Sequence, residues 1–326
     1  MFKPYSMFIA GQGHVISHNL IRGFFDGLNI STYPVPPADP SKRTSSIDIH
    51  NNVICGSADD GLELDSGVHN LRVYRNTFSQ CFMAVSAQPL NGGPAYVYRN
   101  VIYDIDERPF KLHCWPAGLL AYNNTIVNKV GFRSPGMWRN CRFVNNLFMG
   151  TLPAKEGPIS TGCVTPDPSV LDYNGYAANA SNILWYVRRQ AEIAILKREY
   201  YSTPQAFVEA TGHEKHGVWG LDFKTFVRAE PDPETGWLRP GHDLRLNARS
   251  PAVDAGKVLP NITDGFAGKA PDLGAYEIGR DLPHYGPRPE YDPRLTERPR
   301  GWKWGRNWIS DCGLGIADWV QITDLW

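Results

Sequence analysis

The sequence is poor in most of the features that mark specialised classes of protein. Its six cysteines, Cys55, Cys81, Cys114, Cys141, Cys163 and Cys312, are too sparse for a disulfide scaffold, and none lies in a Cys-x-x-Cys pair. A stapled small fold and a zinc ribbon are both excluded. Lys and Arg together number 33, as do Asp and Glu, so the formal net charge is zero. That balance lacks the basic excess of a nucleic-acid partner and the polybasic patch of a membrane-surface protein. No run approaches 18 consecutive apolar residues, so no membrane span is expected. The opening Met1-Phe-Lys-Pro-Tyr-Ser6 lacks the apolar core of a secretory signal. Recognition by charge must therefore be local.

What the chain does have is a repeat. Asn19, Asn52, Asn76, Asn100, Asn124 and Asn146 follow one another at intervals of 33, 24, 24, 24 and 22 residues. Each sits in the same short apolar pattern, as in Val73-Tyr-Arg-Asn76-Thr-Phe78 and Val97-Tyr-Arg-Asn100-Val-Ile102. Self-similarity at such a period marks a stacked architecture. The segments are rich in Val, Ile, Tyr, Phe and Thr, which favours strands. About 24 residues are too few for a helical repeat pair but hold three short strands and three corners. Asn suits such a corner because it tolerates left-handed backbone, and its amide both donates and accepts hydrogen bonds. Over residues 14 to 150 this pattern resembles the right-handed parallel β-helix family, whose carbohydrate-active members include pectate lyases, alginate lyases and polygalacturonases. The expected fold is an all-β solenoid with a stacked Asn ladder, a lateral helical insertion and an extended C-terminal segment.

The division along the chain follows from where the repeat fades. Coils are expected over 1–180, with Leu171-Asp-Tyr-Asn-Gly175 as a degenerate further coil. The first interval is nine residues longer than the next, and the Pro-rich stretch from Ser31 to Thr44 supplies the excess as a surface loop. Residues 181–226 form the insertion. Within it 183–199 read as helical, and 204–211 carry Thr203 as N-cap, Pro204 at the first position and Gly212 just past the end. Residues 227–280 are expected to close the stack. Ser250-Pro-Ala-Val-Asp-Ala-Gly256 and Pro271-Asp-Leu-Gly-Ala-Tyr-Glu277 look like the terminal signature of bacterial β-helix proteins. Turn and packing roles are expected there for Asp254, Asp272 and Glu277. Residues 281–326 carry half of the ten tryptophans and are expected to dock on the helix. The first coil begins near residue 1, so a missing segment or a partner chain is expected to cover that end, since solenoids need polar caps.

Chemistry is sought where the coils stack. Counting forward from each ladder Asn puts Asn29, Glu63, Ser86 and Lys111 in one outward column, and Ser31, Asp65, Gln88 and His113 in the next. Leu62, Leu64, Val85, Ala87, Phe110 and Leu112 alternate inward. Neighbouring coils lie about 4.8 Å apart and same-face residues on a strand about 6.7 Å apart. Glu63, Asp65, Lys111 and His113 can then surround one sugar-sized space. The repeat of Asp26-Gly-Leu-Asn29 in Asp60-Gly-Leu-Glu63 predicts that Asp26 stacks on Asp60.

Two uses of the acidic patch stay open. Asp59, Asp60, Glu63 and Asp65 offer oxygen ligands suited to Ca2+, which would neutralise the carboxylate of a uronate. Paired carboxylates about 6.7 Å apart would instead suit inverting glycoside hydrolysis. Arg108-Pro-Phe-Lys111-Leu-His113 favours β-elimination, with Lys111 or His113 as base and Arg108 steadying the enolate. That arrangement is similar to the division of labour in β-helix lyases, where carboxylates hold calcium and a Lys or Arg takes the proton. Asn29, Gln88, Trp115 and Arg133 are the candidate substrate-binding residues. The resemblance implies a polysaccharide or oligosaccharide partner and an extracellular or periplasmic, bacterial setting. A carbohydrate-binding solenoid without catalysis is the alternative of another class.

Overall fold

The computed structural model describes residues 5–30, 35–152, 159–165, 168–177, 183–189 and 197–288. The chain is a parallel β-helix, as its repeat predicts. A five-stranded sheet stacks Tyr5–Phe8, Asp26–Asn29, Asp60–Glu63, Met83–Ser86 and Arg108–Lys111. A seven-stranded sheet runs from Val15–Ser17 to Val170–Asp172. An eight-stranded sheet runs from Leu20–Arg22 to Val218–Leu221, so the stack continues past residue 180, the expected limit of the coils. Every pairing in these three sheets is parallel, and the central coils keep the period of 24 residues, as in Val97 opposite Val73 and Ile102 opposite Phe78.

The inward alternation fills the coil. Leu62, Leu64, Val85, Ala87, Phe110 and Leu112 are all buried in one continuous core with Phe78, Phe132, Phe143 and Phe148. The glycines of the Asp-Gly-Leu repeat are required by close approach. A Cβ on Gly61 would lie 2.8 Å from Ala84 O and 3.0 Å from Phe78 Cδ1, and one on Gly27 would lie 2.4 Å from Gly61 O. Only a residue without a side chain lets these rungs seat against each other.

The ladder is continuous and fully bonded. From Asn19 onward each amide nitrogen donates to the Oδ1 of the next, 2.9 to 3.0 Å away, through Asn52, Asn76, Asn100, Asn124 and Asn146 to Asn174. Each Oδ1 also accepts the preceding Asn's backbone N–H, and the second amide proton goes to a carbonyl such as Val73 O, 2.9 Å from Asn100. The left-handed residue is the one before each ladder Asn: His18, Asn51, Arg75, Arg99, Asn123, Asn145 and Tyr173 have φ between 48 and 61°. The expectation that Asn itself supplies that conformation is therefore corrected. Asn is needed for its amide, which accepts twice and donates twice inside the coil on a side chain short enough for the corner.

Past Asn174 the ladder ends on a carboxylate. Glu214 Oε1 accepts from Asn174 Nδ2 at 2.6 Å and from the Tyr176 hydroxyl at 2.7 Å, and Oε2 accepts from Asn174 N at 3.2 Å. Glu214 is buried, which pushes its pKa up to about 8. The segment Gly212-His-Glu-Lys-His216 thus carries the stop of the ladder.

The insertion is only partly helical. Pro204–Thr211 is a helix with Thr203 accepting at its N-cap and Gly212 left-handed at its end, as the capping residues predict. Ile183–Arg189 is instead a strand pairing in parallel with Ile159–Thr165, and Lys197–Tyr201 pairs back antiparallel. The aromatic and β-branched run Ile183-Leu-Trp-Tyr-Val187 extends a sheet already in place, which favours the strand; residues 190–196 of the expected helix lie outside the described residues. Residues 226–288 lie against the outer side of the eight-stranded sheet, where Phe226, Leu238, Leu244, Leu246 and Leu273 pack on Val101, Val127, Leu147 and Met149. Within this closing segment Asp254, Asp272 and Glu277 accept backbone N–H groups and fix turns. Cys55, Cys81, Cys141 and Cys163 are buried free thiols, and Cys114 is exposed. The Trp-rich stretch from 289 onward, with Cys312, lies outside the described residues. No helix among those described is long and apolar enough to cross a membrane.

Candidate active site

The five-stranded sheet brings the expected column together. Asn29 pairs with Glu63, Glu63 with Ser86, and Ser86 with Lys111, with Phe8 one rung before Asn29. On the same strands the register sets Asp60 opposite Met83, and Met83 opposite Arg108. Leu112 N donates to Ser134 Oγ at 3.1 Å, so Arg133 occupies the rung next to Lys111.

Three carboxylates converge. Asp26, Asp60 and Glu63 each present an oxygen within 4.8 Å of the other two. Asp60 is fully buried; its Oδ2 accepts from Lys111 Nζ at 2.8 Å, while Oδ1 meets no donor among the described residues. Asp26 Oδ1 accepts from Asp60 N at 3.3 Å, and Glu63 Oε2 accepts from Asn29 Nδ2. The expected ligand set is therefore revised. Asp26 joins Asp60 and Glu63, whereas Asp59 stands 4.0 Å from Lys111 and Asp65 turns toward the next strand. Asp65 Oδ1 accepts from Ser86 Oγ and from Gln88 N, both at 2.7 Å. Asn29, expected to bind substrate, spends its amide on Glu63 and is buried. The Asp-Gly-Leu repeat was the sequence signal for Asp26, because stacking Asp26 on Asp60 also carries it to Glu63.

The charges are unbalanced. Burial raises Asp60 to about 7 in spite of the Lys111 hydrogen bond. Burial, reinforced by the fields of Asp26, Asp65 and Asp60, raises Glu63 to about 8. Burial raises Asp65 to about 6 against the bonds from Ser86 and Gln88. Asp26 is raised by burial too, opposed by the N–H of Asp60. Burial works against the Lys111 ammonium, but its bond to Asp60 and the neighbouring carboxylates outweigh this and its pKa rises. Lys111 therefore rests as an ammonium ion and not as a free base.

His113 is corrected as a base on geometry. Arg108 Nη1 can only donate, so the His113 Nε2 it meets at 2.8 Å must accept, and that lone pair is already used. Burial, followed by Arg108 and Lys111, lowers the His113 pKa and keeps the ring neutral. Arg108 also stands 3.9 Å from Glu107. Trp115 lies half-buried in the loop beyond Lys111, and the Gln88 amide oxygen is buried with no donor among the described residues.

The donor set fits a hard divalent cation. All ligands are oxygens, the mutual separation is at most about twice a calcium–oxygen bond of roughly 2.4 Å, and the buried Asp60 Oδ1 lacks a donor. Ionised together, Asp26, Asp59, Asp60, Glu63 and Asp65 around one lysine would carry a surplus of negative charge; without an ion, protons held on Asp60 and Glu63 relieve it, and a divalent cation would take their place.

No family model and no curated protein matches the chain. Among solved structures it is similar to a crystal structure of pectate lyase Pel9A, at 13% identity and a TM-score of 0.38, over 84% of this chain and 67% of that one.

Proposed function

We propose that the chain is a polysaccharide lyase that cleaves a uronic-acid-containing polymer by β-elimination at the Asp60 cluster. The observation that carries this reading is one lysine hydrogen-bonded to the buried carboxylate of a three-carboxylate, oxygen-only nest. Asp26, Asp60 and Glu63 would hold a divalent cation such as Ca2+. Bound there, the ion would supply positive charge to the carboxylate of the uronate and acidify the neighbouring C–H.

The remaining work falls to the chain's own residues. Lys111, once its proton is lost and Asp60 is engaged elsewhere, is the amine placed to take the proton beside the substrate carboxylate. Arg108 is held by His113 on the strand that carries Lys111, and it would steady the enolate that forms. Asn29 orients Glu63, and Ser86 with Gln88 orients Asp65. Arg133, one rung beyond Lys111, would meet the next acidic sugar.

The test is incubation with pectate, alginate and glucuronan, with and without added calcium. Elimination gives unsaturated ends that absorb in the ultraviolet, and Lys111→Ala abolishes them. A second reading, inverting hydrolysis, is favoured by one observation: Glu63 at about 8 and Asp65 at about 6 would be acid and base at neutral pH. New reducing ends without ultraviolet absorbance would select it and reject the lyase.

A further inference from the structure

The corner residues before each ladder Asn project away from the core, and most of them moor the closing segment. Asn51 Nδ2 donates to His284 O at 2.6 Å, Asn123 Nδ2 to Asp272 O at 3.0 Å and Asn145 Nδ2 to Lys257 O at 2.8 Å. Arg99 donates to Ile262 O at 3.1 Å and Ala275 O at 3.3 Å. Arg75 stands in this column between Asn51 and Arg99 and is exposed; its backbone N–H donates to Tyr98 O at 3.3 Å, while its side chain makes no hydrogen bond or ion pair among the described residues. Its φ of 52° is a conformation in which Asn is favoured and Arg is not. Neither backbone geometry nor mooring accounts for an arginine at this position.

Arg75 opens instead onto a cavity of about 640 Å3 between the stack and the closing segment. Tyr74, Tyr98, Asp264, Arg280 and Asp281 share its walls. The ring of Tyr74 is stacked between His50, with centroids 4.8 Å apart, and Tyr98, 5.0 Å apart, so Tyr74 offers its edge and hydroxyl to the cavity and not a free face. Arg75, Arg99 and Arg280 bring positive charge, and Asp264, Glu277 and Asp281 bring acceptors. A bare anion would be drawn by the arginines and repelled by the carboxylates. A ring with one carboxylate and several hydroxyls satisfies both.

We propose that this cleft is a second glycan site, which takes a carboxylate-bearing sugar residue with Arg75 as the partner of its carboxylate. The site lies on the corner between the seven- and eight-stranded sheets, not on the five-stranded sheet that carries the Asp60 cluster. It does not depend on any cleavage by the chain.

The test is calorimetric titration of the full chain, in chelator, with trigalacturonate, trimannuronate, galactotriose and sodium sulfate. At least one acidic trisaccharide is expected to bind; Arg75→Ala weakens that binding about tenfold and Arg75→Lys weakens it less. Lys111→Ala leaves it unchanged, and galactotriose and sulfate bind much more weakly. The proposal is overturned if neither acidic trisaccharide binds, if Arg75→Ala has no effect, if sulfate binds as tightly as the sugar, or if Lys111→Ala removes the binding. Cleavage is a separate readout, measured on the same protein with calcium added in place of chelator. Arg75-dependent binding in chelator, with no unsaturated products when calcium is present, would reject the lyase and leave this site standing.

Discussion

Asp60 has no exposed surface, and its two oxygens differ, since Oδ2 rests on Lys111 while Oδ1 has no donor among the described residues. Removing Lys111 leaves a buried carboxylate with no cation, a change that costs about 3 kcal/mol where the acid must ionise. Because burial raises Asp60 only to about 7 in the fold, it can take up a proton once the cation is gone, so Lys111→Met is expected to destabilise the metal-free protein by at most about 1.4 kcal/mol at pH 8 and hardly at all at pH 5. Urea denaturation at the two pH values checks it, and an equal loss at both would show that Asp60 is not the partner that matters. For the cation, Asp26→Asn is expected to weaken calcium binding at least tenfold and Asp59→Asn much less, as measured by competition with a fluorescent chelator. The acidic patch and its column were legible in the sequence because the register of Glu63, Ser86 and Lys111 follows from counting. The direction in which Asp65 and Asn29 turn was not, since it depends on the local bonds to Ser86 and Glu63 and not on period.

Within the ladder each element depends on the next. An Asn in the middle, such as Asn100, satisfies two donors of Asn76 and the carbonyl of Val73. Asn100→Ala is therefore expected to cost roughly 3 kcal/mol, measurable by denaturant unfolding. At the far end Glu214 takes the place of a further Asn. Glu214→Gln keeps the Oε1 acceptor for Asn174 and Tyr176 and is expected to cost about 1 kcal/mol, against about 3 kcal/mol for Glu214→Ala. Equal losses for the two would mean that the acceptor oxygen is not what stops the ladder. The asparagines announced themselves because one side chain recurs in one pattern. Glu214 did not, because it follows the last ladder Asn by 40 residues and does in a single position what Asn does elsewhere. The strand at Ile183–Arg189 was hidden for a related reason: its pairing partner, not its own composition, decides its conformation.

At the scale of the molecule, buried carboxylates set how stability varies with pH. Asp60, Glu63, Asp65, Asp104 and Glu214 are raised to about 7, 8, 6, 6 and 8. Each binds its proton more tightly folded than unfolded, so its stabilising contribution is complete below pH 4 and is lost as pH climbs through 6 to 8. The metal-free protein is expected to melt at a higher temperature at pH 5 than at pH 8. Calcium at a hundredfold excess over its Kd adds about 2.7 kcal/mol, and the gain is larger at pH 8, where the nest is ionised. The measurement that bears most directly on the whole account is calorimetric titration of calcium into the metal-free protein at pH 7, in buffers of different ionisation enthalpy. One ion per chain is predicted to bind with release of protons from Asp60 and Glu63, and Asp60→Asn is predicted to lose both signals. Absence of binding, or binding that Asp60→Asn leaves untouched, would contradict the assignment of this nest as the working centre of the protein.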